Sequence, residues 1–348
     1  MRIVVDIGHP AHVHFFKHFI HESRRQGHKI LITAADKDIA FDLLDDYKFE
    51  YIKLGTTGRS LIRKVMSVPV LDWKLFRAVK KFDPDLFLGL GSIRATHVAK
   101  MLGKHSIIFN DTEATIKEHI LYYPFADRVV SPRCFGRDFG AKHIRYDGYH
   151  ELAYLHPDRF RPDPTVLEEL GIGPHENIYI VRFIAWEATH DIGQKGFDTE
   201  GKRAIIKRLS KEGRVIITSE GELPDDLYQY HMSISPTKMH DLLAFASMYV
   251  GEGATMASEA AVLGVPVVFL STLVHNYLHE QADEYQLIHV FNQQRPAIVK
   301  MRELLAQPDL KEEYQRRRQR MLADKVDVTA FMLDLVDTYA RDYILSHR

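Results

Sequence analysis

A chain of 348 residues exceeds one ordinary domain core, since most domains hold roughly 100 to 200 residues, so we expect two domains. The hydrophobic fraction of 45% and the charged fraction of 27% are those of a folded globular protein and exclude a disordered or fibrous chain. The 46 Lys and Arg residues nearly balance the 47 Asp and Glu residues, which argues against nucleic acid as the main partner.

Cysteine content and hydropathy bear on the compartment. The single cysteine, Cys134, cannot form an internal disulfide, which fits a reducing environment. The first residues lack the apolar core of a signal peptide, and no apolar run approaches the roughly 18 residues that span a bilayer. These features predict a cytoplasmic protein.

The first half alternates strand and helix patterns in the manner of a parallel α/β sheet. An apolar run at 3–7 is followed by a glycine-containing loop at 8–11 and by apolar residues at helical spacing, and the next short strand is predicted at 29–33. Later strands are predicted at 86–90, 106–109 and 128–130.

Four prolines among charged residues interrupt this pattern between about 150 and 174, so we interpret that segment as the connection between two domains. The alternation then restarts, with strands predicted at 178–183, 214–218, 248–250 and 265–270. The predicted fold class is therefore α/β, with two Rossmann-like parallel-sheet domains.

Ligands of open parallel sheets bind at the carboxyl ends of the strands, so the loops there hold the candidate sites. Gly8 ends the first predicted strand and lets backbone approach a ligand. His12 lies at the start of the next helix, as a general base or as a helix cap. Asp111 and Glu113 follow a later strand, for acid–base work, for hydroxyl binding or for capping.

Two other features of the first half have a structural interpretation. His14, His18 and His21 recur at helical spacing, but no carboxylate or cysteine pattern completes a metal site, so we expect a solvated helix face. The loop at 89–92 has two glycines and a serine, yet Arg94 replaces the third glycine of a dinucleotide fingerprint. That motif is weak.

The second half carries a stronger candidate. Glycines and small residues at 251–260 open a helix whose backbone N–H groups could surround a phosphate, and Glu259 could accept from ribose hydroxyls. Close helix–sheet packing would explain the alanines but not this carboxylate. Arg182, at the end of a strand, could pair with a diphosphate or with Glu187 at the surface. The same loop holds Trp186, His190 and Asp191.

Together these loops resemble those of the GT-B glycosyltransferase superfamily. The segment at 253–268 is similar to the donor-binding segment of the peptidoglycan GlcNAc transferase MurG, and more distantly to non-hydrolysing UDP-GlcNAc 2-epimerases. The whole chain resembles the uncharacterised family DUF354, of which Asn-Asp-Thr-Glu at 110–113 and Tyr-Leu-His-Pro at 154–157 are typical.

The resemblance implies a domain plan. It comprises an acceptor domain at 1–155, a linker at 156–175, a nucleotide-sugar domain at 176–325 and a helix at 326–348 that packs back on the first domain. It also implies that His12 activates the acceptor and that Glu259 meets the ribose. Finally, the resemblance implies that the diphosphate binds at the residues that open the helix of Glu259, which are Gly253, Ala254, Thr255 and Met256.

The predicted function is thus a GT-B-type glycosyltransferase with a UDP-sugar donor, no required cofactor or metal, and a glycan or lipid-linked acceptor. One alternative is an epimerase that abstracts a proton beside the anomeric carbon with Asp111 and Glu113. Another is a non-catalytic binding protein, which would bind a nucleotide sugar tightly without turnover.

A basic stretch at 59–81 fits either a solvated helix face, which we favour, or peripheral contact with anionic lipid. Its basic residues include Arg63, Lys64, Lys74, Arg77, Lys80 and Lys81.

Overall fold

The structure, a computed structural model, describes residues 1–37, 39–56, 61–113, 116–184, 196–219 and 221–345. The chain divides into two units. The first holds residues 1–154 together with the C-terminal segment from Val326, and the second holds residues 155–325. Within the described residues, no helix is both long and apolar enough to cross a bilayer.

Seven parallel strands form the sheet of the first unit, in the order β3-β2-β1-β4-β5-β6-β7. They are β1 (Arg2–Ile7), β2 (Lys29–Asp36), β3 (Tyr51–Thr56), β4 (Leu86–Leu90), β5 (His105–Phe109), β6 (Arg128–Pro132) and β7 (His143–Tyr146). The strand order reverses between β1 and β4, and such a reversal opens a crevice at the carboxyl ends of the two strands. We call this position the first switch point.

Helices cover both faces of that sheet. They are α1 (Pro10–Arg25), α2 (Ala40–Asp46), α3 (Leu61–Lys80), α4 (Ile93–Leu102), α5 (Ile116–Tyr122) and α6 (Leu152–Leu155). Right-handed crossovers place α1 and α2 on one face and α3 to α5 on the other. Residues 3–7 of β1 are fully buried, as expected for a central parallel strand covered on both sides.

The second unit has a five-stranded parallel sheet in the order β12-β11-β10-β8-β9. Its strands are β8 (Ile178–Phe183), β9 (Arg214–Ser219), β10 (Met248–Gly251), β11 (Val267–Leu270) and β12 (Ile288–Phe291). Its helices are α7 (Thr165–Glu169), α8 (Thr199–Leu209), α9 (Met239–Phe245), α10 (Ala254–Val262), α11 (Asn276–Asp283), α12 (Gln294–Leu305) and α13 (Leu310–Asp324). The order reverses between β8 and β10, which defines the second switch point.

The last α-helix, α14 (Val328–Tyr339), which continues into a π-helix (Ala340–Leu345), belongs to the first unit and packs against α1. Asp327 caps it by accepting from the Ala330 N–H at 3.1 Å. The Thr329 hydroxyl, which is fully buried, donates to the Ala153 carbonyl at 2.8 Å. The chain therefore closes on the unit in which it begins.

The segment interpreted as a connection contributes to both cores. Leu152 of α6 is fully buried in the first unit, and Leu155, the last residue of the same helix, is fully buried in the second. Val166 and Leu167 of α7 are buried in the second. Prolines limit helix length here without preventing burial, because short helical turns between them still bury apolar side chains.

The prediction of a solvated face for the α1 histidines is wrong at His14. That side chain is only 8% exposed, and its Nδ1 lies 3.3 Å from the Tyr47 hydroxyl. Its ring centroid is 5.5 Å from that of Tyr154. Two aromatic residues distant in sequence cover this side of the helix, which helical spacing alone does not reveal.

Candidate functional site

A buried hydrogen-bond network lies at the first switch point. Asp6 of β1 is fully buried and accepts from Thr33 Oγ1 at 2.9 Å, Ser92 Oγ at 2.5 Å and Arg94 Nη2 at 2.8 Å. A Cβ on Gly89 would lie 2.5 Å from the Ser92 Cβ, so no side chain fits there. Through Ser92, the loop at 89–92 is therefore tied to Asp6 of β1. Asp6 also neutralises the charge of Arg94, so Arg94 is not an unpaired cation.

His12 lies beside this network in the first turn of α1. The Gly8 N–H donates to its Nδ1 at 3.2 Å, which assigns the proton of the neutral ring to Nε2. Burial, followed by the charges of neighbours such as His9 and Lys37, holds the His12 pKa well below its usual value of 6.5. His12 is therefore a neutral ring whose Nε2 carries the proton and can donate it in a hydrogen bond. A general base acting through Nε2 would need the other tautomer, with the proton on Nδ1.

A carboxylate–imidazole pair follows β5. Asp111 Oδ2 lies 2.9 Å from Nδ1 of His150, and Asp111 Oδ1 accepts from the Thr112 hydroxyl at 3.0 Å. The His150 ring is 6% exposed and packs on Phe15, with ring centroids 4.5 Å apart. Donation from Nδ1 leaves a lone pair on Nε2, which is buried without a hydrogen-bond partner among the described residues. An imidazole held by a carboxylate in this way can take a proton from a hydroxyl.

The rest of the 110–113 loop is held by different partners. The Asn110 side-chain amide donates to His119 Nε2 at 2.8 Å and to the Tyr122 oxygen at 2.7 Å. Burial, with the charge of Arg137, lowers the pKa of His119 to about 4, so its neutral ring can accept this bond. Glu113 Oε1 accepts from the Gly136 N–H at 3.3 Å.

Sequence reasoning missed His150 and its neighbour Tyr146. The two rings are nearly parallel, with centroids 6.4 Å apart and an interplanar angle of 14°. Tyr146 is 2% exposed, and in the described part of the chain its hydroxyl has no hydrogen-bond partner. Burial, with the charges of Asp111 and Glu151, raises the pKa of Tyr146 well above 10. No local pattern marks these two residues, because β7 has no continuous apolar run that would identify it as a strand and its end as a candidate site.

In the second unit, a tight glycine turn follows β10 at the second switch point. A Cβ on Gly251 would lie 2.6 Å from the Tyr249 oxygen and 2.8 Å from the Arg182 carbonyl oxygen, so only glycine fits. A Cβ on Gly253 would lie 3.2 Å from Cγ of Arg182, which places the Arg182 side chain beside the turn. The Tyr249 hydroxyl donates to the Gly253 carbonyl at 3.1 Å and fixes the turn.

Helix α10 begins directly after this turn. Gly253 is its N-cap residue and has no side chain to accept from the first-turn N–H groups, which include those of Thr255 and Met256. Ala257 and Ala260 are fully buried, so small residues bring the helix close to the sheet. Helix-start amides without a side-chain cap, together with Arg182, make a site that suits an anion.

Glu259 lies farther along α10 and is paired with a histidine. Its Oε1 is 2.9 Å from Nε2 of His240 on α9. Glu259 is 6% exposed and His240 is 3% exposed. His240 would therefore compete with a ribose for this carboxylate, or hold it in position. The sequence interpretation did not include His240.

Glu252 is a second buried carboxylate that sequence reasoning missed. It is 2% exposed and accepts from the Ile184 N–H at 3.0 Å and from the Phe197 N–H at 2.5 Å. These two amides flank residues 185–195, which lie outside the described residues. The predicted residues of that loop are Trp186, Glu187, His190 and Asp191.

Two parallel α/β units, each with a switch point, place this chain in a known class of architecture. It is similar to the UDP-GlcNAc 2-epimerase of Methanocaldococcus jannaschii, at 10% identity over 91% of this chain and 99% of that chain, with a TM-score of 0.66. The UDP-GlcNAc 2-epimerase of Neisseria meningitidis bound to UDP-GlcNAc shows 12% identity over 97% and 100% of the two chains, with a TM-score of 0.65.

The glycosyltransferase VinC in complex with DTDP shows 14% identity over 98% of this chain and 100% of that chain, with a TM-score of 0.63. Identities this low show the fold alone. The fold is GT-B, which confirms the predicted fold class.

The chain belongs to the family described as a protein of unknown function, DUF354, whose model matches residues 1–341. A relative in Methanocaldococcus jannaschii, itself uncharacterized, is 24% identical over 277 residues, which cover 76% of this chain and 80% of that protein. The family membership indicated by the sequence motifs is thereby confirmed.

Proposed function

We propose that this protein is a glycosyltransferase that binds a nucleoside diphosphate sugar, with UDP as the nucleotide, at the second switch point. The observation that supports this most is the glycine turn at 251–253 with Arg182 beside it. Helix-start amides and a guanidinium would stabilise the negative charge that develops on a departing diphosphate.

In the proposed reaction an acceptor hydroxyl attacks the anomeric carbon. The bond from that carbon to the diphosphate oxygen breaks, and the diphosphate leaves with the electron pair. The acceptor proton goes to Nε2 of His150, whose ring is oriented by Asp111 at 2.9 Å. His12, neutral and protonated at Nε2, donates a hydrogen bond to the acceptor and does not act as the base.

The proposed reaction requires no cofactor and no metal ion. Transfer needs positive charge at the diphosphate, and Arg182 with the first-turn amides of α10 would supply it. The nucleotide sugar and the acceptor are both substrates. The acceptor would bind the first unit, and we leave its identity, glycan or lipid-linked, to experiment.

Epimerisation is the second candidate, because two of the similar solved structures are UDP-GlcNAc 2-epimerases. Abstraction of a proton from carbon would use Asp111 or Glu113 as a base. One oxygen of Asp111 is instead engaged by His150 and the other by Thr112. This pairing favours activation of a hydroxyl, and hence transfer, over epimerisation.

Product analysis distinguishes transfer, epimerisation and binding without turnover. The protein is incubated with UDP-sugars in deuterium oxide, either alone or with candidate glycan or lipid-linked acceptors. The sugar products are identified by mass spectrometry. Transfer predicts UDP release that rises with acceptor. Deuterated, epimerised UDP-sugar without any acceptor would replace our proposal by the epimerase, and binding without turnover would leave only a sensor.

A further inference from the structure

Helices α3, α4 and α5 form one layer on the first sheet, joined by His97 of α4. Its Nδ1 lies 2.8 Å from Asp72 Oδ2 on α3, and its Nε2 lies 3.1 Å from the Leu121 carbonyl on α5. Its ring also contacts Phe125, with centroids 4.8 Å apart. The outer sides of the three helices therefore belong to one surface, which we call the α3–α5 face.

This face exposes an unusual amount of apolar surface. Trp73 and Val70 are each 55% exposed, and Ile120 is 66% exposed. Half of the large hydrophobic side chains that are exposed in the described residues lie on this face; they are Val70, Trp73, Met101, Ile120, Leu121 and Phe125. Such a concentration marks an interaction site rather than ordinary scattered exposure.

A cationic groove lies along the same helix, between α3 and the edge strand β3. It has a volume of about 440 Å³ and is lined by Ile52, Lys53, Leu54, Gly55, Lys74, Arg77 and Ala78. Lys74 donates to the Leu54 carbonyl at 2.9 Å, and Lys53 lies over the Phe41 and Tyr51 rings. Across the described ranges, no carboxylate forms an ion pair with its three cations, so the groove suits a phosphate group.

Helical spacing brings the apolar and basic features together. Val70, Trp73 and Arg77 are spaced by three and four residues on α3, so they form one stripe, and Lys74 lies beside it. Exposed Lys80 and Lys100 add further positive charge. Helices that lie on a membrane surface typically place tryptophan at the level of the lipid headgroups and basic side chains against anionic lipid.

From this arrangement we propose that the α3–α5 face docks the first unit on an anionic membrane surface, with a lipid phosphate in the groove at Lys53, Lys74 and Arg77. A soluble phosphate compound would explain the groove but not the exposed Trp73. A second copy of the chain is disfavoured, because a two-fold contact through this face would bring the cationic stripes of both copies into one interface.

The proposal does not depend on the proposed function, since docking is measured without turnover. The test is co-sedimentation of the full chain with vesicles of pure phosphatidylcholine or of phosphatidylcholine with phosphatidylglycerol. Anionic vesicles should sediment the protein and neutral ones should not. Each cation near an anionic surface strengthens binding several-fold, so Lys74→Gln with Arg77→Gln should weaken it about tenfold or more. The matched control, Lys207→Gln with Lys211→Gln, removes two exposed cations from the second unit and should bind as the wild type does.

Trp73 supplies an independent readout. Brominated lipid should quench the fluorescence of the wild type, and Trp73→Phe should lose that quenching while keeping the same melting temperature. Equal binding to neutral vesicles, or none to anionic ones, would overturn the proposal. So would a Trp73→Ser change that turns dimers into monomers while vesicle binding stays constant.

Discussion

The two switch points share a topology and differ in chemistry. At the first, side chains meet side chains, as Asp6 binds Ser92 and Arg94. At the second, glycines clear the space and Arg182 lies beside bare backbone. The first position holds a neutralised network of side chains, and the pair proposed to handle protons, Asp111 and His150, follows the neighbouring strands β5 and β7 of the same unit. The second position suits the binding of an anion. One strand arrangement thus provides two kinds of site, and the residues in the loops decide which.

The largest expected effect concerns the proton-handling half. His150→Gln removes the proposed base and should lower the rate of transfer by roughly 10²- to 10⁴-fold. The KM for the donor should change little, because the donor site lies in the second unit. The measurement is steady-state kinetics as a function of donor concentration. His231→Gln, at an exposed histidine, serves as the control, and full activity in His150→Gln would remove His150 from the mechanism.

The next effect concerns the anion-binding half. Arg182→Ala should weaken binding of UDP by roughly 10- to 100-fold, since charge-assisted hydrogen bonds contribute about 1.5 to 3 kcal/mol. Isothermal titration calorimetry measures it. Arg214→Ala is the matched control, because Arg214 pairs with Glu176 on an exposed part of the same sheet. Equal losses in both variants would contradict the assignment.

Acid should destabilise the first unit through His119. Burial lowers the pKa of His119 to about 4 in the folded state, against 6.5 for the unfolded chain. The unfolded chain therefore binds more protons between these values, so stability is lost as pH falls from 6.5 toward 4, by on the order of 2 kcal/mol. Urea unfolding at several pH values should show a shallower loss for His119→Gln. The same slope in the variant would exclude His119 as the cause.

A smaller effect is expected at the ribose. If His240 holds Glu259 in position, His240→Gln should weaken UDP binding by about tenfold or less, the value of one hydrogen bond near 1 kcal/mol. It should weaken dUDP binding less, because dUDP lacks one ribose hydroxyl. A uniform loss for both nucleotides would mean that His240 only supports the packing of α9 on α10.

The smallest expected effect is that of chelation. EDTA should leave turnover unchanged within error, because Arg182 and the amides are proposed to supply the charge at the diphosphate. A loss of activity that Mg²⁺ or Mn²⁺ restores would contradict the metal-free part of the account.

The sequence predicted the central strands well and three edge strands not at all. Central strands such as β1 are continuous apolar runs because both faces are covered. The edge strands β3, β7 and β12 are only partly buried along most of their length, and β7 fully buries only its last residue, Tyr146. Without a continuous apolar run, they have no pattern that distinguishes them from loops.

The candidate site divides in the same way. Arg182 and the turn at 251–253 were found because a glycine loop between a strand and a helix is a local pattern. The partners His150 of Asp111 and His240 of Glu259 lie 39 and 19 residues away in the chain, respectively. Only the sheet order brings each pair together, so no local spacing could identify them.

The central claim is that the second switch point binds a nucleoside diphosphate. The most direct measurement is the melting temperature of the wild type and of Arg182→Ala with UDP, GDP, dTDP and CDP sugars, since a ligand that binds only the folded state raises it. Our account predicts that UDP-sugars raise the melting temperature of the wild type and have much less effect on the variant. No shift with any nucleotide, or equal shifts in both proteins, would contradict it.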